Sequence, residues 1–510
     1  MVRIRIDLIK VFSYMALTIP VIIFIAGWLK LVIAIPAILV ILVAFYAVAQ
    51  DIIKQNAASL NDNILIISRK SLAFIIVTIL IWCWLGGQGG FFYQTDDYNC
   101  RNAIFRDLIN LDWPVVYSST QASLVYYIAY WLVPALFGKV FGLLFGAGPA
   151  WLFANIMMLI WSCSLVFFIT ILLLFYVKAQ SFRRIFLSML VLVFFSGMDI
   201  IGVLLYNNIN FSSLPGHLEW WSGIYQYSAN TTQLFWVFNQ SIPAWLGVVL
   251  LLNEKTVKNY AYLGFTLLAF SPLPFVGFVP FFIILAARCL TKAIQEHRLE
   301  RFIRQILSVQ NIAAFLVILP LYYLYYKSNI SVTNNGFRFD IGISKYGFDW
   351  SIVRLILFYL LEFGILAAIL YNNQHKSVFY GISVFSLCLT GLFRIGGGYD
   401  FTMRASIPAL MVLMILALQE LLAGIRIEKS GRQQWLCLNK TVLSLIIILI
   451  LGTCTPVIQF AKGFHQVLDN NKIALVADNV GTFANKPIDQ YRNFLAANYT
   501  QTLFFKYLAK

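Results

Sequence analysis

The sequence predicts an all-α polytopic membrane protein with about thirteen transmembrane helices, an outer-face helical loop and a short extracytoplasmic tail. Three observations carry this. Hydrophobic residues make up 61% of the 510-residue chain and charged residues only 11%, with a mean hydropathy of +0.80. A soluble domain carries roughly a quarter charged residues, so most of this surface must face lipid. The apolar residues also fall in runs near the length that crosses hydrocarbon, about 20 residues. Finally, the 37 Lys and Arg outnumber the 21 Asp and Glu, giving a net charge of +16. The basic residues sit in short loops between runs, where they orient a membrane protein, and nucleic acid is not an expected partner.

In chain order the spans read 11–28, 31–49, 71–87, 149–177, 185–205, 236–252, 260–272, 275–290, 311–326, 351–371, 378–393, 407–424 and 441–460. The first has no small-residue cleavage site and another run follows at once, so it reads as a retained span. The short pair 260–272 and 275–290 meets at Ser271-Pro272-Leu273-Pro274, a tight turn. Orientation follows from Arg3, Arg5 and Lys10, then Lys54, Arg69 and Lys70, then Lys178, Arg183 and Arg184. Lys255, Lys258, Arg288, Lys292, Arg298, Arg301, Arg304, Arg426, Lys429, Arg432 and Lys440 continue the series. One topology in the cell membrane puts all of them inside, with the N-terminus cytoplasmic and the C-terminus extracytoplasmic.

That topology requires 88–148 to leave and return on the outer face. The apolar stretch Ser123–Gly146 then reads as a helix on or dipping into the outer leaflet, bent at Pro134, with Lys139 near its end. The chain divides into a transmembrane part, 1–460, with outer loops at 88–148 and 206–235, and a tail, 461–510. The tail is small for an independent core. Its Phe494, Leu495, Phe504, Phe505 and Leu508 need a partner surface. The seven cysteines show no metal or disulfide spacing.

Four groups of residues could carry chemistry. Asp96 and Asp97 follow a glycine-rich turn directly after a span. Adjacent carboxylates suit a general base or a metal site, and the plainer reading pairs them with Arg101 and Arg106. Asp199 lies in the outer third of an apolar span, where a carboxylate is expensive and a functional role is the default; packing through Ser196 or Asn207 is the alternative. His217, Glu219 and Trp220, with Trp221, Tyr225, Tyr227 and Trp236 nearby, combine aromatic faces with an acid, as sugar sites do, although membrane interfaces also enrich Trp and Tyr. Arg394 to Arg404 holds three glycines and Asp400, and its Arg404 suits a lipid phosphate or a snorkelling position. Arg338 is a weaker candidate of the same kind. No P-loop, dinucleotide fingerprint or Ser/His/Asp set is present.

In the order of these features the layout resembles the GT-C class of membrane glycosyltransferases, which includes the protein mannosyltransferases and the lipid A aminoarabinose transferases. The resemblance covers 71–205. It rests on the acidic pair Asp96-Asp97, the following Asp112-Trp-Pro-Val-Val-Tyr117 and Leu124-Val-Tyr-Tyr-Ile-Ala-Tyr-Trp-Leu, the helix end Phe137-Gly-Lys139, and an acid, Asp199, where a later span returns. Two extra spans before the acidic loop, and the missing Pro-Pro-Leu of the surface helix, depart from the pattern. The resemblance implies inverting transfer of a sugar from a polyprenyl-phosphate donor to a glycan, lipid or protein acceptor. Asp97 or Asp96 would be the base, with Asp97 preferred because it is nearer the surface helix. Asp199 would support the acceptor or, with Asp97, a divalent cation such as Mg2+ or Mn2+. Arg404 would bind the donor phosphate, with Arg101 and Lys139 as further contacts. An O-antigen-type polymerase or ligase is the nearest alternative. A lipid or polysaccharide flippase predicts charges in the middle of several spans and inverted repeats, and Glu362 with little else counts against it.

Overall fold

Lipid offers no hydrogen bonds to a backbone, so only helices and closed barrels cross it. The computed structural model describes residues 1–57, 63–206, 216–329, 335–430 and 433–510. Among the described residues ten helices are long and apolar enough to cross a membrane: Ile6–Trp28, Leu31–Gln55, Gly148–Tyr176, Phe182–Tyr206, Asn230–Leu252, Pro272–Gln295, Val309–Lys327, Phe348–Gln374, Ile407–Gly424 and Lys440–Asp469. The chain is a multi-pass α-helical membrane protein. The remaining three runs of the sequence reading are shorter helices: Arg69–Leu85 has 17 residues, Tyr260–Phe270 has 11 and Val378–Leu392 has 15.

The segments between helices gather at two ends. At one end the strand Val2–Arg5 pairs with Ile64–Ile67, Lys258 meets Asp51 at 2.9 Å and Arg184 donates to the Leu422 carbonyl. Helices that start here carry their own caps. Ser68 Oγ accepts from Ser71 N at 3.0 Å and Asn439 Oδ1 from Val442 N at 2.8 Å, satisfying donors that the first turn leaves free. Arg426 and Lys429 lie in the strand Ile425–Ser430 at this end. Arg432 and Asn207 lie outside the described residues.

At the other end three stretches form a small antiparallel sheet, with Val116–Tyr117 beside Ala122–Leu124 beside Leu495–Ala497. Ser123 and Leu124 are therefore strand, and the helix expected from Ser123 begins at Ala129 and runs to Phe145. The tail supplies the reason: pairing with Leu495–Ala497 satisfies the backbone of 122–124 without helix. From Gly146, at φ +88°, the chain turns back into the helix Ala147–Tyr176. The two helices approach closely through small residues, and a Cβ on Gly138 would stand 2.6 Å from that of Ala154.

The span Phe182–Tyr206 is interrupted. Helix stops at Phe194, residues 195–198 are non-helical, and helix resumes at Asp199. The freed backbone is satisfied by neighbours. Asn230 donates to the carbonyls of Phe195 and Leu192, and Thr231 Oγ1 to Val193. Met198 N donates to Leu361 O at 3.1 Å, within a π-helical turn at Leu360–Gly364.

The C-terminal segment is clamped to the helix Tyr98–Asn110. Arg106 makes two hydrogen bonds to Asp478 at 2.7 and 2.5 Å, so it is not the partner of the Asp96-Asp97 pair. The buried Asp107 accepts from Tyr117 Oη at 2.7 Å, Thr482 Oγ1 at 2.5 Å and Phe483 N at 3.0 Å. Farther on, Phe504 is fully buried between Phe24 and Tyr325, and Leu29 bridges to Ala509. Removing the carboxylate strands three donors at a cost of about 1–3 kcal/mol. Asp107→Ala should lower the unfolding temperature in detergent and expose 475–497 to protease ahead of the rest, as limited proteolysis would show.

Candidate functional site

Between the tail and the helix ends lies a cavity of about 590 Å³. Its first wall follows from the turn after Arg69–Leu85. Gly87 and Gly89 sit at φ +80° and +86°, a region side chains avoid, and a Cβ on Gly89 would press within 2.8 Å of the Asn155 carbonyl. The turn delivers Asp96 and Asp97 to the start of the helix Tyr98–Asn110, with Arg101 one turn in. The opposite wall is the short helix Asp400–Ala405, which presents Asp400 and Arg404. The helix Pro272–Gln295 reaches it so closely that a Cβ on Gly277 would overlap the Ala405 carbonyl, and this sets Pro272 and Leu273 beside the cavity. Tyr126, Tyr127 and the tail residues Asn493 and Phe494 complete the lining.

Two ion pairs dominate its electrostatics. Arg101 Nη2 donates to Asp97 Oδ2 at 2.7 Å, and Arg404 Nη1 lies 2.5 Å from Asp400 Oδ1. In each pair the arginine is buried, at 4% and 7% exposed, while the carboxylate is open to the cavity. Each guanidinium keeps unused N–H groups: Arg101 Nη1 and Arg404 Nε have no acceptor, and the approach of Arg404 Nη1 to Asp400 is too oblique for a hydrogen bond. The Asp96 carboxylate has no ion pair among the described residues. Burial keeps the Tyr126 and Tyr127 phenols protonated by pushing their pKa up.

The cavity thus unites Asp96, Asp97, Arg101, Asp400 and Arg404, and leaves the other candidates elsewhere. Asp199 is not part of its lining. It is 1% exposed and accepts from Ser196 Oγ at 3.0 Å and Thr455 Oγ1 at 2.7 Å. Its other neighbour is the carboxyl of Glu362, which also accepts from Trp221 Nε1 at 2.9 Å. Asp97 pairs with Arg101, while Asp199 meets the Glu362 carboxyl. No group of three or more His, Cys, Asp or Glu is placed to hold a metal ion among the described residues. Lys139 is also away from the cavity; it donates to the Leu111 carbonyl at 2.6 Å over the Trp113 ring. Arg338 is a brace, bound to the carbonyls of Ile224 and Gly398.

The third candidate group is a packed cluster outside the cavity lining, with His217 within electrostatic reach of Asp199 and Asp97. Glu219 accepts from Gln226 Nε2, Ser228 Oγ and Ala229 N at 2.7–2.9 Å, and burial pushes its pKa up against those bonds. Trp220 is 51% exposed and stacks on His217 at 4.5 Å, with Trp236 on the other side at 5.4 Å. The sequence carried no local signal for Asp107, Asp478 or Asn493, because each acquires distant neighbours only when the tail folds back.

Comparison with protein-family models, with curated proteins and with solved structures gave no match. Fold and site therefore define the class of protein, a multi-pass membrane protein with a cavity of paired acids and arginines, on their own geometry.

Burial, and then the positive charge of Lys462, push the His217 pKa down from 6.5 to about 4. The fold holds the neutral ring, so this contribution to stability is complete above pH 6.5 and is lost as pH falls toward 4. Thermal unfolding in detergent should weaken across that interval, and His217→Phe should flatten the dependence.

Proposed function

We propose that the chain transfers a sugar from a polyprenyl-phosphate-linked donor to an acceptor on the outer face of the cell membrane. One observation carries the reading: the cavity brings an acidic pair from the first loop against buried arginines, one of them some 300 residues away in sequence. Orientation supports it. The basic loop residues gather at the end opposite the cavity, and this supports a cavity outside and an N-terminus in the cytoplasm. Nucleotide sugars are absent there, so a lipid-borne donor suits the place.

The chemistry follows from which groups are free. Sugar hydroxyls lose their proton far above neutral pH, so attack needs a carboxylate within hydrogen-bond reach. Asp97 is engaged by Arg101 at 2.7 Å, which occupies one of its oxygens. Asp96 has no ion pair among the described residues, and we therefore assign the base to Asp96 in place of Asp97, the one preferred from the sequence. The acceptor oxygen forms its bond to the anomeric carbon as its proton passes to Asp96. The bond from that carbon to the phosphate oxygen breaks, and the phosphate leaves with the electron pair toward the unused N–H groups of Arg404 and Arg101. Attack opposite the leaving group inverts the sugar.

A second reading, a lipid transporter, gains from the interrupted helix at 195–198 and the kink at Val237. Transfer and transport separate in proteoliposomes. Asp96→Asn should leave a folded protein whose transfer rate falls about a hundredfold to ten-thousandfold, and Asp97→Asn should cost less. Arg404→Lys loses the planar fork and should weaken donor binding while fold is kept. Wild-type transfer in both Asp96→Asn and Asp97→Asn would remove the cavity from the chemistry.

A further inference from the structure

The short helix Leu299–Ile306 joins the spans Pro272–Gln295 and Val309–Lys327, and none of its residues is buried. Helical periodicity sorts its side chains. Leu299, Phe302, Ile303 and Ile306 recur at intervals of three and four and share one face, while Glu300, Arg301, Arg304 and Gln305 fall on the other. A helix of this length is not stable alone in water, so its apolar face needs a covering. The protein does not supply one among the described residues: Leu299, Ile303 and the adjoining Leu307 are 44%, 46% and 60% exposed.

The end of this helix is fixed in place. Buried Asn311 donates to the carbonyls of Ile306 and Val257, each at 3.1 Å, and accepts from Ala261 N at 3.0 Å. Ser308 Oγ donates to the Lys258 carbonyl at 2.7 Å, and Lys258 belongs to the end where the basic loops gather. The helix therefore sits at that end, where two spans leave the hydrocarbon. Its apolar neighbours along the chain are exposed as well, Ile294 on the preceding span and Val309 and Ile312 on the following one. Uncovered apolar side chains on a span face lipid, so the face of Leu299–Ile306 continues a lipid-facing surface.

The charge beside it is one-sided. Arg288, Lys292, Arg298, Arg301 and Arg304 stand against Glu296 and Glu300, five cations to two acids. Arg298 meets Glu296 at 3.2 Å and Arg304 meets Glu300 at 2.5 Å. Arg288 and Arg301 are exposed and have no acid partner among the described residues. We propose that Leu299–Ile306 is an interfacial helix that binds anionic phospholipid in the leaflet on the side of the basic loops. Its apolar face enters the acyl boundary, and the guanidiniums of Arg288 and Arg301 take headgroup phosphates through paired N–H groups. A zwitterionic headgroup brings its own cation against the surplus positive charge, whereas an anionic one does not. This binding is independent of the transfer chemistry in the cavity.

Full-length protein in detergent would be mixed with equal amounts of phosphatidylglycerol and phosphatidylcholine of the same acyl chains, and native mass spectrometry reads the lipid retained. Phosphatidylglycerol should be held about fivefold over phosphatidylcholine, the factor that the attraction of one cation to an anionic surface gives. Arg288→Gln with Arg301→Gln should bring its retention down to that of phosphatidylcholine. The charge-matched pair Lys54→Gln with Arg69→Gln, on other helices, and Arg404→Lys, in the cavity, should leave it unchanged. In nanodiscs of the wild-type chain, amide exchange over 299–306 should be slower with phosphatidylglycerol than with phosphatidylcholine, a readout that needs no variant to fold. Equal retention of the two lipids, an equal loss in the Lys54/Arg69 or Arg404 variants, or exchange over 299–306 indifferent to the lipid would overturn the proposal. A dimer that Leu299→Gln with Ile303→Gln dissociates would give the face to a second copy of the chain and overturn it too.

Discussion

Three donors, one from nearby Tyr117 and two from the distant tail, converge on the Asp107 carboxylate, and the helix that carries it also carries Arg106, Arg101 and, at its start, Asp97. The position of the tail and the position of the acidic pair are thus set by one rigid element. Arg106 fixes Asp478 through a two-pronged contact, and the strand Leu495–Ala497 then pairs with Ala122–Leu124. Between those anchors the chain has little freedom. Asn493 and Phe494 reach the cavity because both flanks are tied down, and Phe494 packs on Tyr126 at 4.8 Å. A tail too small to hold a core of its own gains order from the first loop, and the cavity gains a wall from the tail.

Below that surface a different constraint operates. A break in a helix at membrane depth leaves backbone groups with no water to bind, so the break at 195–198 can exist only where protein supplies partners. Asn230 and Thr231, at the start of the almost wholly buried helix Asn230–Leu252, provide them. The π-helical turn at Leu360–Gly364 disturbs its own ladder and offers the Leu361 carbonyl to Met198. Two irregularities satisfy each other, and both place acids in the bundle: Asp199 begins the resumed helix, and Glu362 sits in the π turn. Replacing either irregular segment by regular helix would turn these carboxyls away from each other.

Spans were legible in the sequence because lipid imposes a single pattern, a long apolar run, on every helix that faces it. Arg69–Leu85, Tyr260–Phe270 and Val378–Leu392 show the limit: composition marks the run, while its helical length depends on how neighbours end it, as Ser271 does between two helices. Asp96, Asp97, Arg101, Asp400 and Arg404 could be picked out one by one, since charged residues beside apolar runs are rare. Their union could not be read, because it depends on the close approach of Gly277 to Ala405 and on the return of the tail. Ser123 and Leu124 misled for the same reason: their apolar character suits a surface helix, and only the distant Leu495–Ala497 makes them strand. Arg106 likewise went to Asp478, an acid that local spacing gives no reason to consider.

The arrangement of charge in the cavity adds a last step. Three carboxylates and two guanidiniums line it, and two of the carboxylates are matched to the two guanidiniums, so one negative charge remains, on Asp96. On the proposed reading, a donor phosphate would be repelled by that charge and drawn to the unused N–H groups of the buried arginines. The proposed transfer would then draw the donor's leaving group away from the unpaired carboxylate. In-line displacement requires that separation, with the attacking oxygen and its base on one side of the anomeric carbon and the phosphate on the other. Were Asp96 paired and Asp97 free, the free acid would stand beside Arg101, and base and phosphate would compete for the same cation. The pairing of Asp97 with Arg101 therefore does more than hold a loop. It leaves Asp96 as the cavity's carboxylate without an ion pair among the described residues, and the proposed reading assigns the base there.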